Sequence, residues 1–254
     1  MPYVSNDGVR IHYHVEGEGP PLVLQHGTSQ SLEDWYSYGY VQGLKGDYQL
    51  VPVDHRGHGR SGKPHDSKSY GLDKSVSDIV AILDDLNIPR AHYFGYSMGG
   101  WIGFGVAKYA PDRFRSLIIG ASHPYERSMQ TSRQLLGEGV EAYLASFESG
   151  MSEPIKPEVK RRVLSSDIRA LMASSRDRPD MEELLPTMTM PCLVYAGESD
   201  PLYADVERAA NQLPNGEFFS LPGLGHYEGF ARSDLVLPHV TKFLAEVCHP
   251  RPHQ

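Results

Sequence analysis

The chain has 254 residues with 24 basic and 32 acidic side chains, and its formal net charge is −8. This acidic balance gives no electrostatic reason to expect nucleic acid or an anionic membrane surface as a partner. Two cysteines, Cys192 and Cys248, are too few for a disulfide framework and fit a reducing compartment. The polar first residues lack a signal-peptide pattern, and no apolar run approaches the ~18 residues that span a bilayer, so the sequence predicts a cytoplasmic protein.

Predicted strands and helices alternate through the first 120 residues. Short apolar or alternating runs predict strands at residues 9–15, 22–24, 49–53, 91–94 and 115–119. Helices are predicted within residues 31–44, from Leu72 to Leu86 by an apolar face, and from Met98 to Tyr109 by a run rich in small residues. Pro52 weakens the third strand prediction. The alternation predicts a mostly parallel sheet with helices on both faces.

Residues 123–186 interrupt this pattern with helical segments and no strand candidate. Their predicted helices cover residues 132–136, 140–147, 158–164 and 168–174. The α/β pattern then returns with strands at 192–196 and 217–221 and helices near 204–213 and 233–247. The sequence therefore predicts an α/β core formed by residues 1–122 and 187–254, with a small all-helical insertion at 123–186.

The pentapeptide Gly95-Tyr-Ser-Met-Gly99 has the form G-x-S-x-G. The pattern alone is weak in a chain with 25 glycines, but it lies between a predicted strand and a predicted helix. That is the context in which a serine nucleophile occupies a sharp turn. A serine hydroxyl needs a base, an acid that orients the base, and donors for an oxyanion. On a parallel sheet these groups lie at the carboxyl ends of strands.

Two strand ends after Ser97 carry suitable partners. The loop after residues 192–196 contains Glu198 and Asp200, and the loop after 217–221 contains His226. The loop after residues 115–119 has no acidic residue, and the other histidines that follow Asp200 lie in a predicted helix or in the last residues of the chain. The residue pattern thus predicts His226 as the base and leaves both carboxylates open as the acid.

With these motifs the chain resembles members of the α/β-hydrolase superfamily, and the resemblance covers nearly its whole length. It is carried by Gly95–Gly99, His26-Gly27, Asp54-His-Arg-Gly-His-Gly-Arg-Ser61, Gly197-Glu-Ser-Asp-Pro201 and Gly225-His226, which follow the family's order. The resemblance implies Ser97 as nucleophile, His226 as base and Asp200, with Glu198 as the alternative, as acid. It also implies an oxyanion hole formed by the backbone N–H groups of Thr28 and Met98, and a helical cap at residues 123–186.

Several side chains are candidates for the substrate pocket. We expect an apolar acyl pocket to be lined by a set of ring-bearing residues, namely His26, Trp35, Tyr36, Tyr96, Trp101, Tyr125 and Phe147. For His26 a structural role near the oxyanion hole is the stronger expectation. The cap carries 9 basic and 11 acidic residues between Pro124 and Pro186, which does not indicate an ionic substrate.

Neither a cofactor nor a metal is expected. The glycine-rich turn with His55 and His58 lacks the Lys-Ser/Thr ending of a phosphate-binding loop and is interpreted as scaffold. No histidine pair on a predicted helix has metal-ligand spacing.

Serine at the elbow disfavours epoxide opening and halide displacement, which in relatives use an aspartate there. The prediction is acyl transfer to water, with a small or medium carboxylic ester or lactone as the small-molecule partner and an acyl-enzyme on Ser97. Hydrolysis of a C–C bond, cofactor-free perhydrolysis of the haloperoxidase type and slow-turnover ligand reception on the same fold stay open as alternatives.

Overall fold

The computed structural model describes residues 2–148, 151 and 154–248, apart from the side chain of Phe147. Within these ranges the strands are β1 (Tyr3–Asn6), β2 (Val9–His12), β3 (Pro21–Gln25), β4 (Gln49–Val53), β5 (Ala91–Tyr96), β6 (Phe114–Gly120), β7 (Cys192–Gly197) and β8 (Gly216–Leu221). Six of them form one parallel sheet in the order β4-β3-β5-β6-β7-β8. The predicted parallel sheet is confirmed.

The remaining two strands, β1 and β2, form an antiparallel hairpin beside the sheet. The sequence predicted one strand over residues 9–15, but β2 ends at His12. Tyr13 and Glu16 instead make isolated antiparallel bridges to Val53 and Leu50 of β4. The chain therefore covers the outer edge of β4, which would otherwise be open to pairing with another strand.

Pro52 lies within β4 without breaking its pairing with β3. Its carbonyl oxygen accepts a hydrogen bond from the backbone N–H of His14 at 3.0 Å, on the side away from β3. The N–H and C=O groups of one strand residue point to the same side, so the N–H that proline lacks would also point away from β3. A proline on an edge strand in this orientation removes no bond of the parallel ladder.

The helices in the described part of the chain surround the sheet. They are α1 (Leu32–Ser37), α2 (Tyr40–Leu44), α3 (Leu72–Asp85), α4 (Met98–Tyr109), α5 (Gln130–Glu138), α6 (Val140–Glu148), α7 (Pro157–Leu164), α8 (Ile168–Ser174), α9 (Tyr203–Ala210), α10 (Glu228–Ala231) and α11 (Ser233–Cys248). The helix predicted within residues 31–44 is two helices, because Gly39 between them has a φ of 85°. None of these helices combines the length and the apolar character that a membrane span requires.

Small residues let α4 approach both the sheet and α3. A Cβ at Gly103 would lie 3.1 Å from the Tyr93 ring and 3.4 Å from the Ile119 side chain. A Cβ at Gly105 would lie 2.5 Å from Leu72 of α3. Each helical glycine costs roughly 1 kcal/mol relative to alanine, and the close packing offsets this cost. The position of α4 matters because its first residue follows Ser97.

Helices α5 to α8 occupy the segment between β6 and β7. Apolar side chains of α6 and α7, including Leu144, Val159 and Val163, belong to the same buried cluster as Trp35 and Phe94 of the core. A small cluster of Leu136, Tyr143 and Leu171 holds α5, α6 and α8 together. We keep the division into a core (1–122 and 187–254) and a cap (123–186) as a proposal, in which the cap packs directly on the core.

Candidate active site

Ser97 lies on the sharp turn between β5 and α4. Its backbone has a φ of 54° and a ψ of −107°, which only a few per cent of non-glycine residues approach. The Ser97 N–H donates to the carbonyl oxygen of Gly120 at 2.8 Å, and its own carbonyl accepts from the N–H of Trp101 at 2.9 Å. These two bonds tie the turn to β6 and to the first turn of α4. Such a backbone costs about 1–3 kcal/mol and is characteristic of functional sites.

The two glycines of the G-x-S-x-G motif are required by close backbone approach. A Cβ at Gly95 would lie 2.2 Å from the carbonyl oxygen of Gly99. A Cβ at Gly99 would lie 2.0 Å from the carbonyl oxygen of Gln25 at the end of β3. Any larger residue at either position would push α4 away from the ends of β3 and β5, so the motif fixes the position of Ser97.

Ser97, His226 and Asp200 form a continuous hydrogen-bonded chain. The Ser97 Oγ lies 2.8 Å from His226 Nε2, and His226 Nδ1 lies 2.7 Å from Asp200 Oδ2. The second carboxylate oxygen of Asp200 accepts from the N–H of Leu202 at 2.9 Å. Asp200 is 4 % exposed, whereas the His226 side chain is about a quarter exposed at 24 %. The arrangement can move a proton from the serine hydroxyl to the imidazole.

Glu198, the other candidate acid, does not contact His226. Its side chain is exposed and accepts from the hydroxyl of Ser220 on β8 at 2.8 Å. The turn after β7 thus directs Asp200 toward His226 and Glu198 toward solvent. The same turn needs Gly197, because a Cβ there would lie 2.1 Å from the carbonyl oxygen of Leu224 in the loop that carries His226.

The loop after β3 faces Ser97 from the other side. Gly27 and Thr28 line the same cavity as Ser97, and a Cβ at Gly27 would lie 3.3 Å from that of Ser97. The Gly27 N–H is already bonded to the side-chain oxygen of Gln30 at 2.7 Å. Across the described ranges no intramolecular hydrogen bond takes up the backbone N–H of Thr28 or of Met98. Both remain available as donors.

His26 supports this loop from behind and does not line the cavity. Its Nδ1–H donates to the carbonyl oxygen of Gly27 at 2.7 Å, and its Nε2 accepts from the N–H of His55 at 3.1 Å. Burial lowers the pKa of His26, so the ring is neutral and can both donate and accept. This geometry agrees with the expectation that His26 has a structural role near the oxyanion hole. His26 does not line the cavity, so its assignment to the substrate pocket was wrong.

The glycine-rich turn after β4 is organised around Asp54. One Asp54 oxygen accepts from the N–H of Leu32 at 2.8 Å, and the other lies 2.7 Å from His12 Nδ1 and 2.9 Å from the N–H of Arg60. A Cβ at Gly59 would lie 2.1 Å from the carboxylate. The turn therefore packs around a buried carboxylate, which agrees with its interpretation as scaffold.

A cavity of about 410 Å³ opens above Ser97 and His226. Its ceiling consists of cap side chains, most of them apolar: Met129, Tyr143, Leu144, Met151, Ile155, Val159 and Val163. Tyr96 lines it, and its hydroxyl donates to the backbone oxygen of His226. The volume fits a small-molecule ligand, since such sites measure roughly 300–1,000 Å³.

Four other predicted pocket residues do not line this cavity. Trp35 is fully buried among Tyr40, Phe94 and Phe230. The remaining three lie elsewhere: Tyr36 bonds to Glu16, Tyr125 stacks on His123 and contacts Arg208, and Trp101 borders a separate cavity of about 30 Å³. Their assignment to the pocket is corrected, and the side chain of the fifth, Phe147, lies outside the described residues.

Two arginines in the cavity wall were missed by the sequence interpretation. Arg127 precedes α5 and Arg178 follows α8, and both line the cavity of Ser97. The cap has similar numbers of basic and acidic residues, and this count does not show that these two side chains line the cavity. No sequence period marks them, because the two residues pair through a single bridge between distant loops.

Groups of three or more histidine, cysteine, aspartate or glutamate side chains arranged to hold a metal ion do not occur in the described part of the chain. The absence of a metal or cofactor from the reaction stays a prediction.

Comparisons with known proteins place the chain among hydrolases. Residues 20–164 match the family described as alpha/beta hydrolase fold. A putative 2-succinyl-6-hydroxy-2,4-cyclohexadiene-1-carboxylate synthase of Bacillus subtilis is 25% identical over 271 residues, covering 95% of this chain and 97% of its own. The 3-oxoadipate enol-lactonase 2 of Acinetobacter baylyi is 28% identical over 212 residues, covering 76% and 77%. The crystal structure of the enol-lactonase of Burkholderia xenovorans has the same fold, with a TM-score of 0.85, 23% identity and coverage of 96% and 100%.

Proposed function

Because the chain belongs to the α/β-hydrolase family, we propose that it is a serine hydrolase that cleaves a small or medium carboxylic ester or lactone through an acyl-enzyme on Ser97. The observation that carries the proposal is the hydrogen-bonded chain from Ser97 through His226 to Asp200, which opens on a 410 Å³ cavity. The enol-lactonase among the relatives supports an ester or lactone as the bond that is cleaved. C–C hydrolysis, perhydrolysis and ligand reception are not favoured by any particular contact in the site.

In the first half of the proposed reaction, Ser97 attacks the substrate carbonyl carbon. His226 Nε2 takes the hydroxyl proton as the Oγ–C bond forms, and Asp200 holds the opposite ring nitrogen so that Nε2 is the free acceptor. The protonated His226 then gives this proton to the leaving alcohol. The products of this half are the alcohol and an ester of Ser97.

In the second half, a water molecule takes the place of the alcohol. His226 accepts a proton from the water as its oxygen attacks the acyl carbon, and then returns the proton to Ser97 Oγ. The carboxylic acid leaves, and the free enzyme is restored. For a lactone the alcohol and the acid are two ends of one product.

The negative oxygen formed in both halves is stabilised by the backbone N–H groups of Thr28 and Met98 in this proposal. Met98 is the first residue of the 12-residue helix α4, so the helix dipole adds positive potential at the same place. The loop of Thr28 is held by His26 and Gln30, which fixes the donor before substrate binds. Removal of one such donor costs on the order of 10²–10³ in rate in well-studied hydrolases.

The test is hydrolysis of a p-nitrophenyl ester by Ser97→Ala. We expect kcat/KM to fall by several orders of magnitude, because nucleophile and base act as one unit. Ser132→Ala is the matched control, since Ser132 lines the same cavity without bonding to His226, and we expect little change. Labelling with a fluorophosphonate, followed by peptide mass spectrometry, should place the adduct on Ser97. Activity of Ser97→Ala near that of the unaltered protein would end the assignment.

A further inference from the structure

The two arginines of the cavity wall are held directly opposite each other. The N–H of Arg127 donates to the carbonyl oxygen of Arg178 at 2.9 Å, and the N–H of Arg178 donates back at 2.8 Å. Residues that exchange both bonds in an antiparallel bridge project their side chains from the same face, with Cβ atoms about 5 Å apart. Both side chains accordingly line the cavity of Ser97.

This placement is unfavourable for the protein alone. Like charges directly opposite in an antiparallel pair destabilise it. Arg178 is only 7 % exposed, and burial together with the charge of Arg127 lowers its pKa to about 9, so its guanidinium keeps its charge at neutral pH. A buried charge is costly unless it is paired. The arrangement therefore calls for a compensating anion.

The described residues do not supply that anion. No carboxylate of the described residues lies within 4.0 Å of either guanidinium. The neighbouring Asp177 accepts from Arg133 at 2.9 Å and from the N–H of Met129 at 2.7 Å, on the outside of the cap. Asp200 is engaged by His226 and Leu202. Among the described residues the ring of Trp101 lies 5.1 Å from the Arg178 guanidinium carbon, and this contact leaves the charge unneutralised.

We propose that Arg127 and Arg178 bind a carboxylate carried by the substrate, so that the ester or lactone cleaved at Ser97 also bears a free acid group. This inference rests on the proposed function and names its substrate class. A planar guanidinium binds a carboxylate through two parallel, charge-assisted hydrogen bonds. The rest of the ceiling is largely apolar and suits a short hydrocarbon link between the acid group and the carbonyl that Ser97 attacks.

The geometry places the two ends of such a substrate in one cavity. Arg178 also borders the smaller cavity that Thr28 and Met98 line, next to the proposed oxyanion donors. Burial lowers the pKa of the Arg127 guanidinium, and the nearby Asp200 carboxylate acts in the opposite direction and favours the charged form. The carboxylate of a bound substrate would therefore lie within one small molecule's length of the reacting carbonyl.

The test compares two esters that differ in one group. Mono-p-nitrophenyl adipate carries the carboxylate, and its neutral counterpart has an isopropyl group in that place. We expect the unaltered protein to prefer the adipate ester by at least about tenfold in kcat/KM. Arg127→Met and Arg178→Met should each lower this preference roughly tenfold, because a hydrogen bond to a charged group contributes at least about 1.5 kcal/mol. Arg133→Met, which removes an arginine bonded to Asp177 outside the cavity, should leave the preference unchanged.

Two further measurements separate this role from a structural one. Removal of one of two opposed charges should leave the melting temperature of Arg127→Met unchanged or raise it. A lowered melting temperature with equal losses on both esters would overturn the inference, as would a protein that does not prefer the adipate ester. If Arg178→Met does not fold, the more exposed Arg127 carries the test.

Binding without turnover distinguishes the inference from the proposed function. Calorimetry should show adipate binding to Ser97→Ala and at least about tenfold weaker binding after Arg127→Met is added. Adipate binding without hydrolysis of either ester by the unaltered protein would refute the proposed function while supporting a carboxylate site at Arg127 and Arg178. Hydrolysis of the neutral ester without adipate binding would support the proposed function and refute the inference.

Discussion

Replacement of Asp200 by asparagine tests how the carboxylate acts on His226. The backbone N–H of Leu202 donates to Oδ1 at 2.9 Å, so in Asp200→Asn the amide oxygen keeps this bond and the amide NH₂ takes the place of Oδ2. That NH₂ is a donor and now lies 2.7 Å from His226 Nδ1. The ring must then carry its hydrogen on Nε2, facing Ser97, and cannot accept the serine proton.

We expect kcat to fall on the order of 10⁴, the size of effect that this tautomer change produces in the well-studied serine protease triad. The assay is release of p-nitrophenol from a short-chain ester, with the melting temperature measured in parallel to show that the variant is folded. Glu198→Gln is the matched control, because Glu198 lies in the same turn but bonds to Ser220. We expect its kcat to stay within a few-fold of the original. A larger loss in Glu198→Gln than in Asp200→Asn would refute the reasoning.

Two further predictions concern stability. Burial lowers the pKa of His58 to about 3 and the pKa values of His92 and His123 to about 4, so these rings are neutral when folded but protonate near pH 6.5 when unfolded. The unfolded chain binds more protons below that pH, so urea titrations should show full stability above about pH 6.5 and a falling free energy of unfolding toward pH 4; equal midpoints at pH 7 and pH 5 would contradict this. The buried ion pair of Arg56 and Asp78, with two contacts of 2.7 Å, predicts that Arg56→Met destabilises by about 3–5 kcal/mol in urea titrations, while replacing Asp78 by leucine as well should recover much of the loss.

The proposed catalytic residues could be located from the sequence because each follows a predicted strand. Strands β5 and β7 are buried along their whole length, β8 is the edge strand beside β7, and parallel strands bring their carboxyl ends to one edge. Ser97, Asp200 and His226 are the polar residues in the right order at those ends. Ser97 and His226 required only the G-x-S-x-G motif and the strand assignments. The choice between Asp200 and Glu198 rested on the family resemblance, because the direction of each side chain depends on the turn after β7.

The pocket could not be predicted in the same way. A large aromatic residue such as Trp35 has the same sequence signal whether it fills the core or faces a ligand, and here it fills the core. Arg127 and Arg178 are separated by most of the cap and meet through one bridge, which produces no periodic pattern. The charge count of the cap includes side chains that line the cavity as well as side chains that face solvent, so the count cannot distinguish them. Only the packed structure separates Arg133, bonded to Asp177 outside, from the two that face the cavity.

The reacting groups and the arginines come from different parts of the chain. Ser97, Asp200 and His226 extend from core strands, and the strained turn of Ser97 is held by bonds to β6 and α4. Arg127 and Arg178 stand where the cap leaves and rejoins the core, and the bridge between them fastens its two ends together. We therefore expect substitutions at the bridge to alter which acyl group fits while the geometry around Ser97 stays as it is. In the proposed arrangement the core carries out the reaction and the ends of the cap select the charge of the substrate.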